Sequence, residues 1–329
     1  MLRLFQSSNP FTFILLLVYT GLVFSHNLFF PAPITAASHG VLSDGIWQLL
    51  RIDSWPLLAI ELLQSILMLT TGILISFMMQ KFKLINKTTL MPAAVFVLIC
   101  SYFPEMRIHI AETLCGLCLI ILLYKIFGAY NKQRADMVYF DAAIISAIAS
   151  LIYFPAVIFF FFSLFGLLRM RSTSFREFII YLSGWLTVAF LLGTYIFWNG
   201  SWEAWFASWE VQMHFISGIG ELMNATIIAK LSLIGLVFIV TLIFYFDRLS
   251  ANLIQIRKYM GVFMLLFLFC LVTACLGIGM DEGSLYLLWV PVTVVISYYF
   301  FHFKQLWYSE GMHAALLLGT FLFQYLTFA

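Results

Sequence analysis

The residues best suited to chemistry are carboxylates in the first third of the chain. Asp44 and Asp53 lie in a polar stretch between two apolar runs, whereas Glu61 and Glu112 each lie about one turn inside an apolar run. A carboxylate can act as a general base, or it can bind a divalent cation that holds a phosphate. Because an ionisable residue is costly in lipid, Glu61 and Glu112 indicate a functional site. The alternative is that both reach water at the headgroups or pair with Arg107.

A short turn between two later apolar runs adds more polar groups. It begins at Pro104 and contains an acid, a cation and an imidazole within five residues. The arginine of this turn would bind a phosphate group of the substrate. A divalent metal cation is a candidate cofactor. The predicted catalytic carboxylates are Asp44 and Asp53, and the predicted substrate- or lipid-phosphate-binding residues are Glu61, Glu105, Arg107, His109 and Glu112.

Three tryptophans form a further pattern in the second half of the chain. Trp202, Trp205 and Trp209 recur at a spacing that places them on one helical face. They predict an amphipathic interfacial helix on the outer leaflet, a surface that would suit a lipid-linked substrate. The alternative is the ordinary aromatic belt of a membrane protein.

Histidine and cysteine give weaker patterns. Cys115 and Cys118 form a C-x-x-C, but it lies inside an apolar run, where small residues at a helix contact are the simpler explanation. The histidines near the predicted outer face lack the H-x-x-x-H spacing of a metal site, so scattered interfacial histidines are the preferred interpretation. They are His26, His39, His109 and His214.

The elements that must position these residues are apolar helices. Of the 329 residues, 63% are hydrophobic and only 10% are charged, whereas soluble domains carry about 25% charged residues. Several apolar runs reach the roughly 20 residues that a helix needs to span a bilayer. Together these features predict an all-α polytopic membrane protein, in contact with the lipid bilayer, with about ten or eleven membrane segments. The net charge of +2 gives no case for nucleic acid as a partner.

Residues 1–329 are predicted to form a single integral membrane domain. Its first part, residues 11–200, contains predicted spans at 11–29, 56–80, 90–103, 108–128 and 178–198 and a broken run at 139–170. Residues 201–224 are predicted as an outer amphipathic loop, and residues 225–329 as four spans at 225–246, 261–277, 284–301 and 313–328.

The broken run contains Pro155 and ends in Arg169, Arg171 and Arg176. One helix of that length would measure about 45 Å, well beyond the ~30 Å hydrocarbon core. As two short segments joined at Pro155, whether a full hairpin or two partial spans, it places fourteen of the 17 Lys and Arg on one side of the membrane. The positive-inside rule favours that arrangement, and it predicts an inner-membrane protein with a cytoplasmic N-terminus and a periplasmic C-terminus. The fourteen are Arg3, Lys81, Lys83, Lys87, Lys125, Lys132, Arg134, Arg169, Arg171, Arg176, Arg248, Arg257, Lys258 and Lys304.

Acidic residues then collect on the predicted outer side. Since they contribute little to insertion, their segregation points to the outer face as the place for chemistry. Asp141 and Glu177 are exceptions, because they lie near the inner arginines and are predicted to pair with them. The outer acids are Asp44, Asp53, Glu105, Glu203, Glu210, Glu221, Asp281 and Glu282.

Two segments carry a first resemblance, YFPAVIFFFFSLFGLLRMRSTSFREFIIYLSGW (Tyr153–Trp185) and SSNPFTFILLL (Ser7–Leu17). They are similar to an uncharacterised family of polytopic inner-membrane proteins of Bacteroidetes, some of whose members are labelled beta-carotene monooxygenase. Carotenoid cleavage enzymes resemble soluble propellers with four histidines on iron, an architecture that this apolar helical chain does not match.

The order of parts in residues 11–200 carries a second resemblance, to the membrane half of lipid-dependent glycosyltransferases of the GT-C type. The shared order is a first span, an outer loop, a span opened by WPLL, a short third span and a pair of short helices joined at a proline. The resemblance implies a polyprenyl-phosphate-linked sugar as substrate and an acidic base or metal ligand in the first outer loop, here Asp44 and less well Asp53. The D-E or D-x-D pair usual in those enzymes is absent.

Two functions remain open from the sequence. One is an enzyme that acts on a polyprenyl-phosphate-linked or lipid substrate at the outer face. The other is a non-catalytic membrane component, either a subunit that binds a protein partner or a transporter. A transporter usually places polar groups at broken helices near the bilayer midplane, whereas apolar residues surround Pro155.

Overall fold

The computed structural model describes residue 5 and residues 10–29, 40–103, 110–132, 134–200, 225–249, 253–277, 285–303 and 306–325. Within those ranges the regular elements are helices. They are α1 (Phe11–Val23), α2 (Ser25–Phe29), α3 (Val41–Leu50), α4 (Leu57–Lys81), α5 (Met91–Cys100), α6 (Ile110–Gly128), α7 (Asp136–Ile152), α8 (Phe159–Met170), α9 (Phe175–Asn199), α10 (Ala225–Leu249), α11 (Ile254–Gly277), α12 (Tyr286–His302) and α13 (Leu306–Tyr325), with 3₁₀ helices at Ile52–Ser54 and Phe154–Ile158.

Five helices in the described part, α4, α6, α9, α10 and α11, are long and apolar enough to cross a membrane. Shorter apolar helices are α1, α5, α12 and the segment that joins the second 3₁₀ helix to α8. The predicted fold class is therefore confirmed, and the chain is an all-α, multi-pass membrane protein.

Helix bounds differ from the predicted spans near the end of the chain. α11 begins at Ile254 rather than 261, and α13 begins at Leu306 rather than 313. Helical hydrogen bonding continues past the apolar stretch into residues such as Arg257 and Lys258, which hydropathy excludes from a span. The first predicted span is interrupted at Phe24, which separates α1 from α2.

The centre of the bundle is formed by α5 and α12. All 10 residues of α5 are buried, and so are most residues of α12. At 1.5 Å per residue α5 is about 15 Å long, too short to cross a bilayer, so its ends need hydrogen-bond partners inside the protein. The hydroxyl of Thr89 accepts from the Met91 amide at 3.2 Å, and that of Ser76 accepts from the Ala93 amide at 2.9 Å.

The apolar run around Pro155 folds back on itself as α7 and α8. Tyr153 follows α7 in an extended conformation, and a 3₁₀ helix then leads into α8. Proline has no N–H and cannot continue the helical pattern. Just after α8, Arg171 donates to the carbonyl of Lys132, just before α7, at 2.7 Å. The two halves therefore pack side by side as a hairpin.

Packing against α7 holds α9 to this hairpin. A capping box begins α9, in which the Ser174 hydroxyl accepts from the Glu177 amide at 3.3 Å and the Glu177 carboxylate accepts from the Ser174 amide at 2.9 Å. Farther along, Gly184 allows close approach to α7, because a Cβ there would lie 2.7 Å from the Cβ of Ala143.

Lysine and arginine residues gather at one end of the bundle, which we call the basic end. It comprises the C-terminal ends of α4, α6 and α8 and the N-terminal ends of α7, α9 and α11. The Lys81 ammonium lies 4.1 Å from the centre of the Tyr124 ring, and Lys258 donates to the carbonyl of Met170 at 2.9 Å. These contacts join α4 to α6 and α11 to α8.

Both acidic residues that were predicted to pair with inner arginines form ion pairs at the basic end. Glu177 pairs with Arg171 at 3.1 Å, as predicted. Asp141 instead pairs with a lysine, Lys125, at 2.6 Å. The difference arises because α7 packs against the end of α6 that carries Lys125.

At the other end, the side-chain amide of Gln324 on α13 joins α1 to α5. Its Nε2 donates to the carbonyl of Val23 at 3.1 Å and to that of Ser101 at 2.9 Å. Val23 and Ser101 lie at the C-terminal ends of α1 and α5, where the last carbonyls lack partners within the helix. Gln324 is fully buried, so its amide takes the place that water would have at an exposed helix end.

Gln324→Leu is therefore expected to lower the Tm of the detergent-solubilised protein. Two buried carbonyls would each lose a donor, and an unsatisfied buried polar group costs about 1–3 kcal/mol. The matched control is Thr187→Val, because the Thr187 hydroxyl also bonds a carbonyl, that of Ser183, but on an exposed face of α9. If both variants melt at the wild-type temperature, Gln324 does not hold these helix ends together.

Candidate functional site

The described carboxylates of the predicted site lie at the end of the bundle opposite the basic end. Asp44 is in the first turn of α3, Glu61 near the start of α4 and Glu112 near the start of α6. The backbone of Asp53 is in the 3₁₀ helix Ile52–Ser54, and its side chain is outside the described part of the structure. Also outside the described residues, and so still predictions, are Glu105, Arg107, His109, Trp202, Trp205 and Trp209.

Glu61 and Glu112 belong to a buried polar layer between α4 and α6. Across this helix contact, Gln64 Nε2 donates to Thr113 Oγ1 at 2.5 Å. The two helices run in the same direction, and Glu61 is one turn before Gln64 while Glu112 precedes Thr113. The two glutamates therefore differ in depth by only about 3 Å at 1.5 Å per residue.

The burial of the two glutamates bears on one part of the alternative, direct contact with headgroup water. Glu61 is 6% exposed and Glu112 is 1% exposed. Such burial does not fit the alternative that both carboxylates reach headgroup water directly. Both glutamates have polar or electrostatic contacts in the structure. Because Arg107 lies outside the described residues, pairing with Arg107 and a functional site both stay predictions for them.

A small apolar cluster lies beside this polar layer. Ile52, Ile60 and Ile110 form it, and Trp47 of α3 packs against it. This cluster is separate from the main core. Asp44 is one helical turn before Trp47 and thus on the same face of α3. Helix α3 therefore carries Asp44 toward the end of the bundle where the two glutamates lie.

Gly40, immediately before α3, contacts the end of α7. A Cβ at Gly40 would lie 2.5 Å from the carbonyl oxygens of both Leu151 and Ile152. Those carbonyls belong to the last turn of α7, just before the break at Pro155. Only glycine permits such a close backbone approach. The chain around α3 thus connects the break to the apolar cluster beside Glu61 and Glu112.

A cavity of about 250 Å³ lies between α7, α9 and the 3₁₀ helix at the break. Its lining includes Leu151, Phe154 and Trp185 and is almost entirely apolar. The indole of Trp185 is held by donating to the Ser146 hydroxyl at 2.9 Å. Leu151, which lines the cavity, also contacts Gly40 at the start of α3 through its carbonyl oxygen. An apolar slot of this kind suits a hydrocarbon chain.

Lys230 also lies at the end of the bundle opposite the basic end, and the sequence predicted no role for it. It is buried on α10, and its ammonium lies 5.5 Å from the centre of the Phe103 ring. In the sequence, Phe103 directly precedes residues 104–109, which include the predicted phosphate-binding Arg107. The sequence did contain a signal that could have identified Lys230 as a candidate site residue. It is the only charged residue from 225 to 246, and a single charge within an apolar run is costly in lipid.

Most of the histidine pattern lies outside the part of the chain that the structure describes. Across the described ranges, no group of three or more His, Cys, Asp or Glu residues is placed to hold a metal ion. Of the four histidines considered, His26 is described and is buried, while the other three lie outside the described residues. The divalent cation stays a prediction from sequence alone.

The C-x-x-C residues fit the helix-contact interpretation. Cys115 and Cys118 are both free thiols. Between them, Gly116 packs against the ring of Tyr286, and a Cβ at Gly116 would lie 2.7 Å from that ring. The small residues in this part of α6 thus let α12 approach closely.

Gly40→Ala is expected to lower the Tm by several degrees, because the added methyl would collide with two backbone carbonyls of α7. The control, Gly45→Ala, lies on α3 itself, where a Cβ would meet no atom within 4 Å. Alanine is the better helix former by about 0.5–1 kcal/mol, so this control should melt at or above the wild-type temperature. Equal thermal stability of the two variants would show that α3 is not held against α7.

Comparison with known proteins gives a family for most of the chain. Residues 47–329 match the model of a family of unknown function, DUF6427. The match includes Glu61, Glu112 and Lys230 and begins after Asp44. Neither the curated proteins nor the solved structures contain a match. Since the matched region covers well over half of its length, the chain belongs to the DUF6427 family.

Proposed function

We propose that this protein acts on a lipid-linked phosphate substrate at the end of the bundle opposite the basic end. The supporting observation is the position of α3. It contacts the end of α7 beside the apolar cavity through Gly40, and it packs Trp47 on the cluster beside the glutamate layer. A hydrocarbon tail in the cavity would bring its polar headgroup toward α3 and the carboxylates.

The charge distribution supports an orientation for this site. The positive-inside rule assigns the basic end to the cytoplasm. We therefore propose that the carboxylates face the periplasm in a bacterial inner membrane, with a cytoplasmic N-terminus and a periplasmic C-terminus. A lipid carrier that displays its headgroup in the outer leaflet would then reach the cavity from the side.

The GT-C resemblance supports glycosyl transfer from a polyprenyl phosphate as the reaction. Asp44 would accept the proton of an acceptor hydroxyl as general base. The hydroxyl oxygen would bond to the anomeric carbon while the bond from that carbon to the lipid phosphate oxygen breaks. The phosphate leaves with the bonding electrons, and Lys230 and Arg107 would stabilise its charge. Glu61 and Glu112 are the alternative bases within the family match.

A second candidate function is that of a non-catalytic subunit that binds a membrane partner. The observation that favours it is the exposed flank of α9, where Phe190 is 73% exposed and Leu186 67% exposed. On this alternative the carboxylates have no role in turnover, and their amide variants would keep full function.

The test replaces Asp44 by asparagine and Glu61 and Glu112 by glutamine, one at a time, in the full chain. Transfer from a pool of polyprenyl-phosphate sugars is measured in proteoliposomes, together with complementation of a deletion strain. Loss of the general base should lower transfer by about 100-fold or more. The control is Asp247→Asn, since Asp247 is an exposed carboxylate at the opposite end. Full complementation by Asp44→Asn and Glu61→Gln would rule out the enzyme and leave the subunit.

A further inference from the structure

A second, larger cavity opens at the basic end, away from the carboxylates. Its volume is about 390 Å³, and it lies between α10 and α11, beside the C-terminal end of α8. Its walls run from Phe238 to Phe246 on α10 and from Gly261 to Leu268 on α11. At 1.5 Å per residue these walls extend about 10–12 Å along the helices. We call this cavity the basic-end cleft.

Arg169 lines the basic-end cleft and lies against the backbone of α11. A Cβ at Gly261 would collide with the Arg169 guanidinium. Nearby arginines have carboxylate partners, since Arg171 pairs with Glu177 and Arg176 pairs with Asp136. Within the described part of the chain, no hydrogen bond or ion pair involves the Arg169 guanidinium. It therefore offers donors with nothing on the protein side to accept them.

Tyr245 provides a second donor on the same cleft. It is buried on α10 and lines the cavity beside Arg169. Among the residues that the structure describes, its hydroxyl has no hydrogen-bond partner. Two kinds of donor, a guanidinium and a phenol, thus face a site that is otherwise apolar.

The basic-end cleft opens toward the lipid-facing surface of the bundle. Phe246 is 57% exposed and Leu268 60% exposed, one on each wall. The local charge is positive, because Lys258 binds the carbonyl of Met170 next to Arg169. The nearest acid along α10, Asp247, is exposed and forms no ion pair with Arg169 in the described part of the chain. A cationic rim above an apolar slot matches the two parts of an anionic lipid.

We propose that the basic-end cleft is a binding site for an anionic phospholipid. The phosphate lies on the Arg169 guanidinium and accepts a hydrogen bond from the Tyr245 hydroxyl. One acyl chain lies in the groove between α10 and α11. A zwitterionic lipid fits less well, because its own ammonium group meets the positive surroundings of Lys258. The site is distant from the carboxylate layer and independent of the proposed reaction.

The test measures lipids that remain bound to the full-length protein. The protein is reconstituted in nanodiscs of phosphatidylcholine with phosphatidylglycerol, and native mass spectrometry after release counts the retained lipids. The wild type should retain phosphatidylglycerol in preference to phosphatidylcholine. Arg169→Gln should weaken that preference about tenfold, as for loss of one charged hydrogen bond. Tyr245→Phe, which keeps the ring, should weaken it by a smaller factor.

Matched variants separate this site from general surface charge. Arg176→Gln removes one charge at the same end but lies outside the cleft, so it should change the preference less than twofold, in the range expected of an exposed charge. Gly261→Ala should reproduce the effect of Arg169→Gln, because the new methyl displaces the guanidinium.

Four results would overturn the proposal, the last of them displacement of the lipid by inorganic phosphate. One is equal retention of both lipids by the wild type. Another is an equal loss of preference in Arg169→Gln and Arg176→Gln. The third is the absence of labelling on α10 and α11 by a phospholipid with a photoreactive acyl chain. This measurement uses the wild-type protein, so it is decisive even if a variant folds poorly. Inorganic phosphate should not displace the lipid, since it has no chain for the groove, and displacement would assign the site to free phosphate instead.

Discussion

Backbone hydrogen bonding inside lipid is the constraint on which this structure depends. Where a helix stops within the bundle, the free amides and carbonyls have no water to bind, and another part of the protein must approach them. The hydroxyls of Thr89 and Ser76 do this at the start of α5, and Gln324 does it at the ends of α1 and α5. The short helix α5 is possible only because other helices surround it.

The two cavities lie beside the short helices of the bundle. Helix α7 ends at the break before Pro155, whereas α9 continues. An apolar space of about 250 Å³ lies between α7, the 3₁₀ helix and α9. At the basic end, the side chain of Arg169, in the last turn of α8, lies against Gly261 of α11 and lines a space of about 390 Å³ between α10 and α11. Each cavity thus lies beside the end of a short helix, α7 or α8.

The sequence predicted features that depend on solvation. Low charge and long apolar runs predicted the fold class, and the isolated acids Glu61 and Glu112 were recognised because charge is costly in lipid. The predicted arginine partner of Asp141 was wrong, because the pairing with Lys125 depends on which helix lies beside α7. Lys230 is also a single charged residue within an apolar run, as Glu61 and Glu112 are. No other polar group of a predicted site lies near it in the sequence, so the sequence suggested no role for it.

The sequence by itself determined that this is an all-α membrane protein and that its longest apolar run contains a proline. Those properties follow from composition and local chemistry. Only the tertiary structure decided that Gln64 meets Thr113, that Gly40 lies on the end of α7 and that Arg169 lies on Gly261. Each of these contacts joins residues far apart in sequence, and they result from close packing of helices, which hydropathy does not encode.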